Sequence, residues 1–413
     1  MANLIILSYL YINTFSSFIL LLTYNIIKSS LIPKALILKD VYIFFLFYFL
    51  LLIFLVRGKI YMTLKFCTLF AIFIFLISLF VFFFLSPAEM TSKLIYLRRY
   101  SYFLLIFVLF NAIPIKQISI LNLIRHLKLI TFLVIIWGFF EYATNLKIWY
   151  LLNLNDFWAS ISIDPWANVP LEESGRFFSW DLSFIIGHKI QRAVSIFLDP
   201  TLLSSFIIAV LPIFLYGKGL SNKIFSFLLI ILGILTVSKA FFLALFIFIF
   251  YSVFQINTQI SIIFIILTIF VAYFLVNIGL NTGPFSHVAG MYTSIEEIVK
   301  GKILGIGFGV AGNYGELDVG AESGFGSMLG NIGVFAFLYL IIIFSILRQL
   351  EKIYRKTNYY LYKSVYVSLF AWTAVMLYSE SAFGITGNAI IFLLAGLLLN
   401  KNILINFYKE DVK

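Results

Sequence analysis

Residues 259–277 read QISIIFIILTIFVAYFLVN, a run without one acidic or basic side chain. A helix needs about 20 apolar residues to cross the hydrocarbon of a bilayer, and this stretch supplies them in one block. It does not alternate as a barrel strand would, with one face to lipid and one to a lumen. Backbone amides that find no water must be satisfied within their own segment, so a continuous apolar run of this length reads as a spanning α-helix.

Working outward, the chain offers about twelve blocks of this kind, near 4–27, 40–56, 66–86, 97–113, 129–144, 193–216, 222–237, 240–256, 259–277, 326–347, 361–379 and 385–400. Composition agrees. Of the 413 residues 62% are hydrophobic, 19% aromatic and only 11% charged, with a mean hydropathy of +1.06. A water-soluble protein carries about 25% charged residues, so this chain has too few to coat a water-facing surface. The same figures exclude disorder, a collagen-like chain and a nucleic-acid-binding domain. The expected fold is all-α: one polytopic membrane-embedded helical bundle over residues 1–413, with about twelve transmembrane helices. The first block has no basic stretch before it and no small-residue cleavage site after it, so it reads as a span rather than a removable signal.

Lys and Arg outnumber Asp and Glu by 29 to 18, a net charge of +11. These cations collect at the ends of the apolar blocks, where they set orientation and meet lipid headgroups. With both termini on the cytoplasmic face, Lys218, Lys223, Arg348, Lys352, Arg355 and Lys356 fall inside. The acid-rich stretch containing Asp156, Asp164, Glu172, Glu173 and Asp181 falls outside, as do Lys93, Arg98 and Arg99. Cys67 is the only cysteine, so an intramolecular disulfide is excluded.

Two connections are longer than the roughly 2–8 residues that usually join helices in a bundle: 145–191 and 278–325. Span parity puts both on the outer face. Their aromatics, among them Trp149, Trp158, Trp166, Phe177, Phe178 and Trp180, argue for folded caps rather than disordered loops. In the second connection, Ser286 to Lys300 carries apolar residues at helical spacing, and Thr293 or Ser294 followed by Glu296 or Glu297 forms a capping-box pattern. It reads as a helix lying flat on the interface.

Three constellations carry the polar chemistry. Arg192 and Asp199-Pro200 open a span, and if the segment were helical throughout, Arg192 and Asp199 would share a face. Arg192 reads either as a phosphate-binding guanidinium at a cavity mouth or as an interfacial cation, with Asp199 as a helix cap. Thr236-Val237-Ser238-Lys239 splits an apolar stretch into two short halves and brings Lys239 to the bilayer edge. There it binds an anion or snorkels to the headgroups. Leu304-Gly305-Ile306-Gly307-Phe308-Gly309 allows close backbone approach to an anion or a sugar, with Asn313 following. Glu322 then reads as a general base with a desolvated carboxyl or as a helix-dipole partner. His287 reads as a phosphate contact or a plain hydrogen-bonding group, and Glu380 as an edge acid without an obvious partner. No His/Cys/Asp cluster has metal-ligand spacing.

In order, Arg-x(6)-Asp-Pro at the head of a span, Thr-x-Ser-Lys in a hairpin, an interfacial helix, Leu-Gly-x-Gly-x-Gly and Glu-Ser opening the next span resemble the O-antigen polymerase and O-antigen ligase superfamily. The resemblance covers roughly Arg192 to Ile341. Arg176 and Gly187 also echo an Arg-to-Gly motif of some polysaccharide polymerases. The resemblance implies a GT-C-like, metal-independent and cofactor-free inverting glycosyltransferase of the bacterial inner membrane, with its site on the periplasmic face. Its substrates would be oligosaccharides on undecaprenyl diphosphate, and a chain-length regulator protein would be a further partner. Arg192, Lys239 and His287 would hold the diphosphate, and Arg192 and Glu322 would be catalytic. Arg176, Asp199, Gly307, Gly309 and Asn313 would line the acceptor. Glu322 stands where the ligases commonly place a His, which favours polymerase over ligase. Lys239 departs from the family's more usual Arg and gives up the bidentate fork. A ligase acting on lipid A core and a polysaccharide flippase are the alternative readings; a flippase calls for charges on broken helices near mid-membrane.

Overall fold

A computed structural model describes residues 2–29, 31–35, 38, 41–46, 75, 78–79, 86–113, 117–160, 169–179, 187–277, 286–315, 317–400 and 403. Cys67, Asp164, Trp166, Trp180, Asp181 and Glu316 lie outside the described residues, as do most of the blocks expected near 40–56 and 66–86. What is described is mostly helical, with irregular stretches between helices and a two-residue antiparallel pair, β1 (Phe178–Ser179) with β2 (Ile190–Gln191). The long helices are α1 (Ala2–Ile27), α2 (Met90–Ala112), α3 (Gln117–Ala143), α4 (Pro200–Tyr216), α5 (Leu220–Leu235), α6 (Lys239–Val253) and α7 (Thr258–Asn277). They continue with α8 (Ser286–Val299), α9 (Gly324–Ile332), α10 (Phe335–Thr357), α11 (Tyr360–Tyr378) and α12 (Ile385–Leu398).

Within α1, α2 and α3, the segments Asn3–Ile27, Met90–Ala112 and Ile120–Ala143 are long and apolar enough to cross a membrane, and α4, α5, α6, most of α7, and α12 are shorter apolar helices. The chain is a membrane protein of helical class. The block expected over 326–347 is two helices, because Gly333 turns the backbone at φ 58° and lies so close to the Ile303 carbonyl that a Cβ there would sit 1.9 Å from its oxygen.

The residues fall into two compact units, Met1–Lys59 with Pro114–Phe242 and Ile60–Ile113 with Leu243–Lys413. In the first, the stretch after α3 folds as a cap: helical turns at Lys147–Leu151 and Leu154–Ala159 bury Trp149, Phe157, Trp158 and Phe177 against Leu21 of α1. Polar contacts fix it to the end of α1, where Asn25 donates to the Leu152 carbonyl (2.5 Å) and accepts from Asn153 Nδ2 (2.7 Å). The buried aromatic rings supply the apolar area that holds these turns together.

In the second unit α2 packs along α12, with Gly396 close enough to α2 that an added Cβ would meet the Phe107 carbonyl at 2.6 Å. Asn400 Nδ2 closes that seam on the carbonyls of Asn111 (2.7 Å) and Ile113 (2.8 Å). At the same end of this unit as the last turn of α10, Glu351 accepts from the amide and hydroxyl of Thr258 at the start of α7 (2.8 and 2.6 Å). At the other end, the 303–323 segment meets the start of α10 through the Val334 amide and the Ile303 carbonyl (2.9 Å). The capping-box reading over Thr293 to Glu297 is corrected: these residues lie inside α8. There the Ser294 hydroxyl reaches the Gly326 carbonyl of α9 (2.7 Å).

Candidate functional site

In the first unit the chain from β2 to α4 is extended, then a single 3₁₀ turn at Ser195–Phe197, then helix from Pro200. Arg192 and Asp199 therefore do not share a helical face, because the backbone turns at Ser195 (φ 49°) and Leu198 (φ 60°). Asp199 is the N-cap of α4: its Oδ1 accepts from the amides of Thr201 (2.7 Å) and Leu202 (3.2 Å), with Pro200 preset for the first helical position. Its Oδ2 faces Arg176 Nε at 3.7 Å, and the Arg176 guanidinium lies 4.2 Å from the centre of the Trp158 ring.

Arg192 is half-buried and held from two directions. Its Nε donates to the Thr236 carbonyl (2.8 Å) and its Nη1 to the Gly175 carbonyl (2.7 Å), while the Ala193 amide donates to the Leu235 carbonyl (2.8 Å). The guanidinium thus links the residue before Arg176 to the hairpin that carries Lys239. That hairpin turns at Val237 (φ 47°), Lys239 opens α6 with an exposed side chain, and the Ser238 hydroxyl lies 3.1 Å from that of Ser204 in α4. Arg176, Arg192, Asp199 and the Lys239 hairpin are one connected constellation, although they come from three separate stretches of chain. Gly187, at φ 81°, turns the chain into β2. Nearby, the Tyr150 hydroxyl holds the Glu172 carboxyl below the usual carboxylate range, and Lys189 adds to this.

In the second unit Glu322 is exposed and sits at φ 65°, a left-handed conformation that disfavours a side chain. Its amide donates to Asn313 Oδ1 (2.6 Å), and its carbonyl accepts from the Glu380 amide (3.0 Å). Glu380 Oε1 is ion-paired with Arg99 Nη1, and its Oε2 accepts from the Asn313 amide (2.8 Å). The Arg99 guanidinium lies 4.4 Å from the centre of the Tyr314 ring. Glu380, an acid whose partner is not obvious from sequence, is therefore the buried centre that joins α2, the 303–323 segment and the turn after α11. Ser323 next to Glu322 caps α9, accepting from the Gly326 amide (2.9 Å).

The glycines of the 304–309 run do adopt positive φ: 87° at Gly305, 125° at Gly307 and 89° at Gly309. The structure gives several of these residues an internal use. The Gly309 and Ala311 amides donate to Asn331 Oδ1 (2.7 and 3.2 Å), the Ile306 amide to the Gly330 carbonyl (2.7 Å) and the Gly312 amide to the Val319 carbonyl (2.8 Å). These amides clamp the loop to α9 and to itself rather than pointing out as an anion cradle. His287 lies in the first turn of α8, with its side chain outside the described residues.

Sequence reasoning missed three groups, two of them fully buried. Asn331, in the middle of an apolar block, organises the glycine loop and donates to the Tyr100 hydroxyl (2.8 Å). Arg99, which from sequence reads only as an outward cation, pairs with Glu380. Glu141, near the end of α3, is fully buried and accepts from Trp149 Nε1 (2.9 Å) and from the amides of Val194 (2.8 Å) and Ser195 (3.1 Å). A lone acid inside an apolar block was the available signal for Glu141.

Comparison with protein-family models, with curated proteins and with solved structures finds no match to this chain.

Proposed function

We propose that the chain is a membrane-embedded transferase acting on a lipid-linked diphosphate. More particularly, we propose an oligosaccharide repeat-unit polymerase of the bacterial inner membrane, a GT-C-like bundle of about twelve spans whose chemistry takes place on the periplasmic face. The observation that carries the reading is the doubly anchored Arg192 guanidinium, fixed between the Gly175 carbonyl beside Arg176 and the Thr236 carbonyl of the Lys239 hairpin. Cations held in place before a ligand arrives stabilise charge that develops on a leaving group without reorganising during the reaction.

In the proposed step an acceptor sugar hydroxyl attacks the anomeric carbon of the donor. The new glycosidic C–O bond forms as the bond to the diphosphate oxygen breaks, with inversion. Undecaprenyl diphosphate leaves with the bonding electron pair, and Arg192 and Lys239 balance its charge. The acceptor hydroxyl gives up its proton to a general base as the new bond forms.

The test is reconstitution of purified protein with lipid-linked repeat units, without metal or nucleotide, scored as a chain-length ladder. Wild type is expected to form polymer. Arg192→Ala and Arg192→Lys are expected to leave single-repeat glycan, because an ammonium cannot reproduce the planar fork that reaches both carbonyls. A normal ladder from Arg192→Ala would overturn the assignment. Transfer to lipid A core without polymer would favour the ligase reading.

A further inference from the structure

We propose that Glu141 is a positioning residue that seats the Arg192 segment, a proposal that uses the polymerase reading only for what Arg192 then does. The side chain is fully buried, and its hydrogen bonds come from neutral donors: Trp149 Nε1 on one carboxyl oxygen, the Val194 and Ser195 amides on the other. Burying a carboxyl group is costly, and apolar packing alone does not require one here. What it supplies is local. Val194 and Ser195 follow Arg192 by two and three residues and lead into a turn where Ser195 and Leu198 both take positive φ. Such a backbone persists only where its surroundings over-determine it. Glu141 contributes two acceptor contacts to that determination, and the Ser195 hydroxyl adds a third tie to α3 through the Val134 carbonyl (2.8 Å).

On the other side, Trp149 packs among Trp137, Phe177 and the rest of the cap core, so its indole fixes the carboxyl group in turn. The chain of support runs from the cap through Trp149 and Glu141 to residues 194–195, and from there to Arg192. Gln at position 141 keeps one carbonyl oxygen for the two amides but turns its NH₂ toward the indole N–H, placing donor against donor. Phe at position 149 removes that conflict.

The experiment is hydrogen exchange on the full-length protein in detergent, read on a peptide covering residues 193–198, alongside donor KM and kcat in the polymerisation assay. Glu141→Ala is expected to speed exchange in that peptide about tenfold, with other helices little changed. Glu141→Gln is expected to speed exchange less and to raise donor KM, and Trp149→Phe in that background is expected to recover much of both. Unchanged exchange at 193–198 in Glu141→Ala overturns the proposal, as does an equal rise along the whole chain. So does a Glu141→Gln variant with wild-type exchange and wild-type KM. If the wild-type protein forms no polymer, the proposed function falls, and the exchange pattern alone decides whether Glu141 seats the segment.

Discussion

At the scale of single residues, the sharpest feature is Glu322, an exposed acid in a conformation that glycine adopts more readily. For a residue with a Cβ the left-handed conformation costs about 1–2 kcal/mol. Glu322→Gly is therefore expected to raise the thermal midpoint in detergent, while Glu322→Ala, with its Cβ intact, is not. If Glu322 takes the acceptor proton, both variants lose polymer, so a stabilised but inactive Glu322→Gly would separate a functional side chain from a structural one. A lower midpoint for Glu322→Gly than for Glu322→Ala would remove the argument from strain. The candidate acid and its place before a span are legible in the sequence, but its conformation is not, since φ is set by the Asn313 and Glu380 contacts on either side.

At the scale of elements, helix starts follow local chemistry closely. Asp199-Pro200 is a cap that a short window of sequence announces, and it does cap its helix; Ser323 caps α9 as well. The capping-box pattern in α8 misleads because Thr293 and Ser294 serve a packing seam instead. The Thr293 hydroxyl accepts from the Gly320 amide (3.1 Å), and a Cβ at Gly290 would lie 1.8 Å from the Ala321 carbonyl oxygen. Backbone must move to admit even a methyl group, so Gly290→Ala is expected to destabilise by about 1–3 kcal/mol, measured by denaturation in mixed micelles. The Arg99–Glu380 pair joins elements far apart in sequence. Glu380→Ala leaves a buried guanidinium uncompensated and is expected to cost about 3–5 kcal/mol, whereas Arg99→Met combined with Glu380→Leu should cost much less. Equal losses in the single and double variants would show that the pair does not act as a unit.

At the scale of the whole molecule, the second unit is polar along its length. The 303–323 segment sits at the start of α10, and Glu351 with Arg355 (2.6 Å) sits near its end. At 1.5 Å per residue those points are about 25–35 Å apart, comparable to a bilayer's hydrocarbon. In a Cys67→Ser background, Asp318→Cys is expected to react with an impermeant maleimide added to intact cells, and Lys352→Cys only after permeabilisation; the reverse pattern would overturn the orientation. By itself the sequence determined the helical membrane class, because apolar run length and charge scarcity act locally and need no fold to be read. Only the tertiary structure decided that Arg192 is braced by two carbonyls, that Asp199 turns to Arg176, that amides of the glycine run bond within the fold and that Glu141, Arg99 and Asn331 have partners inside it. Each of those depends on donors and acceptors brought together from distant parts of the chain, which no single stretch encodes.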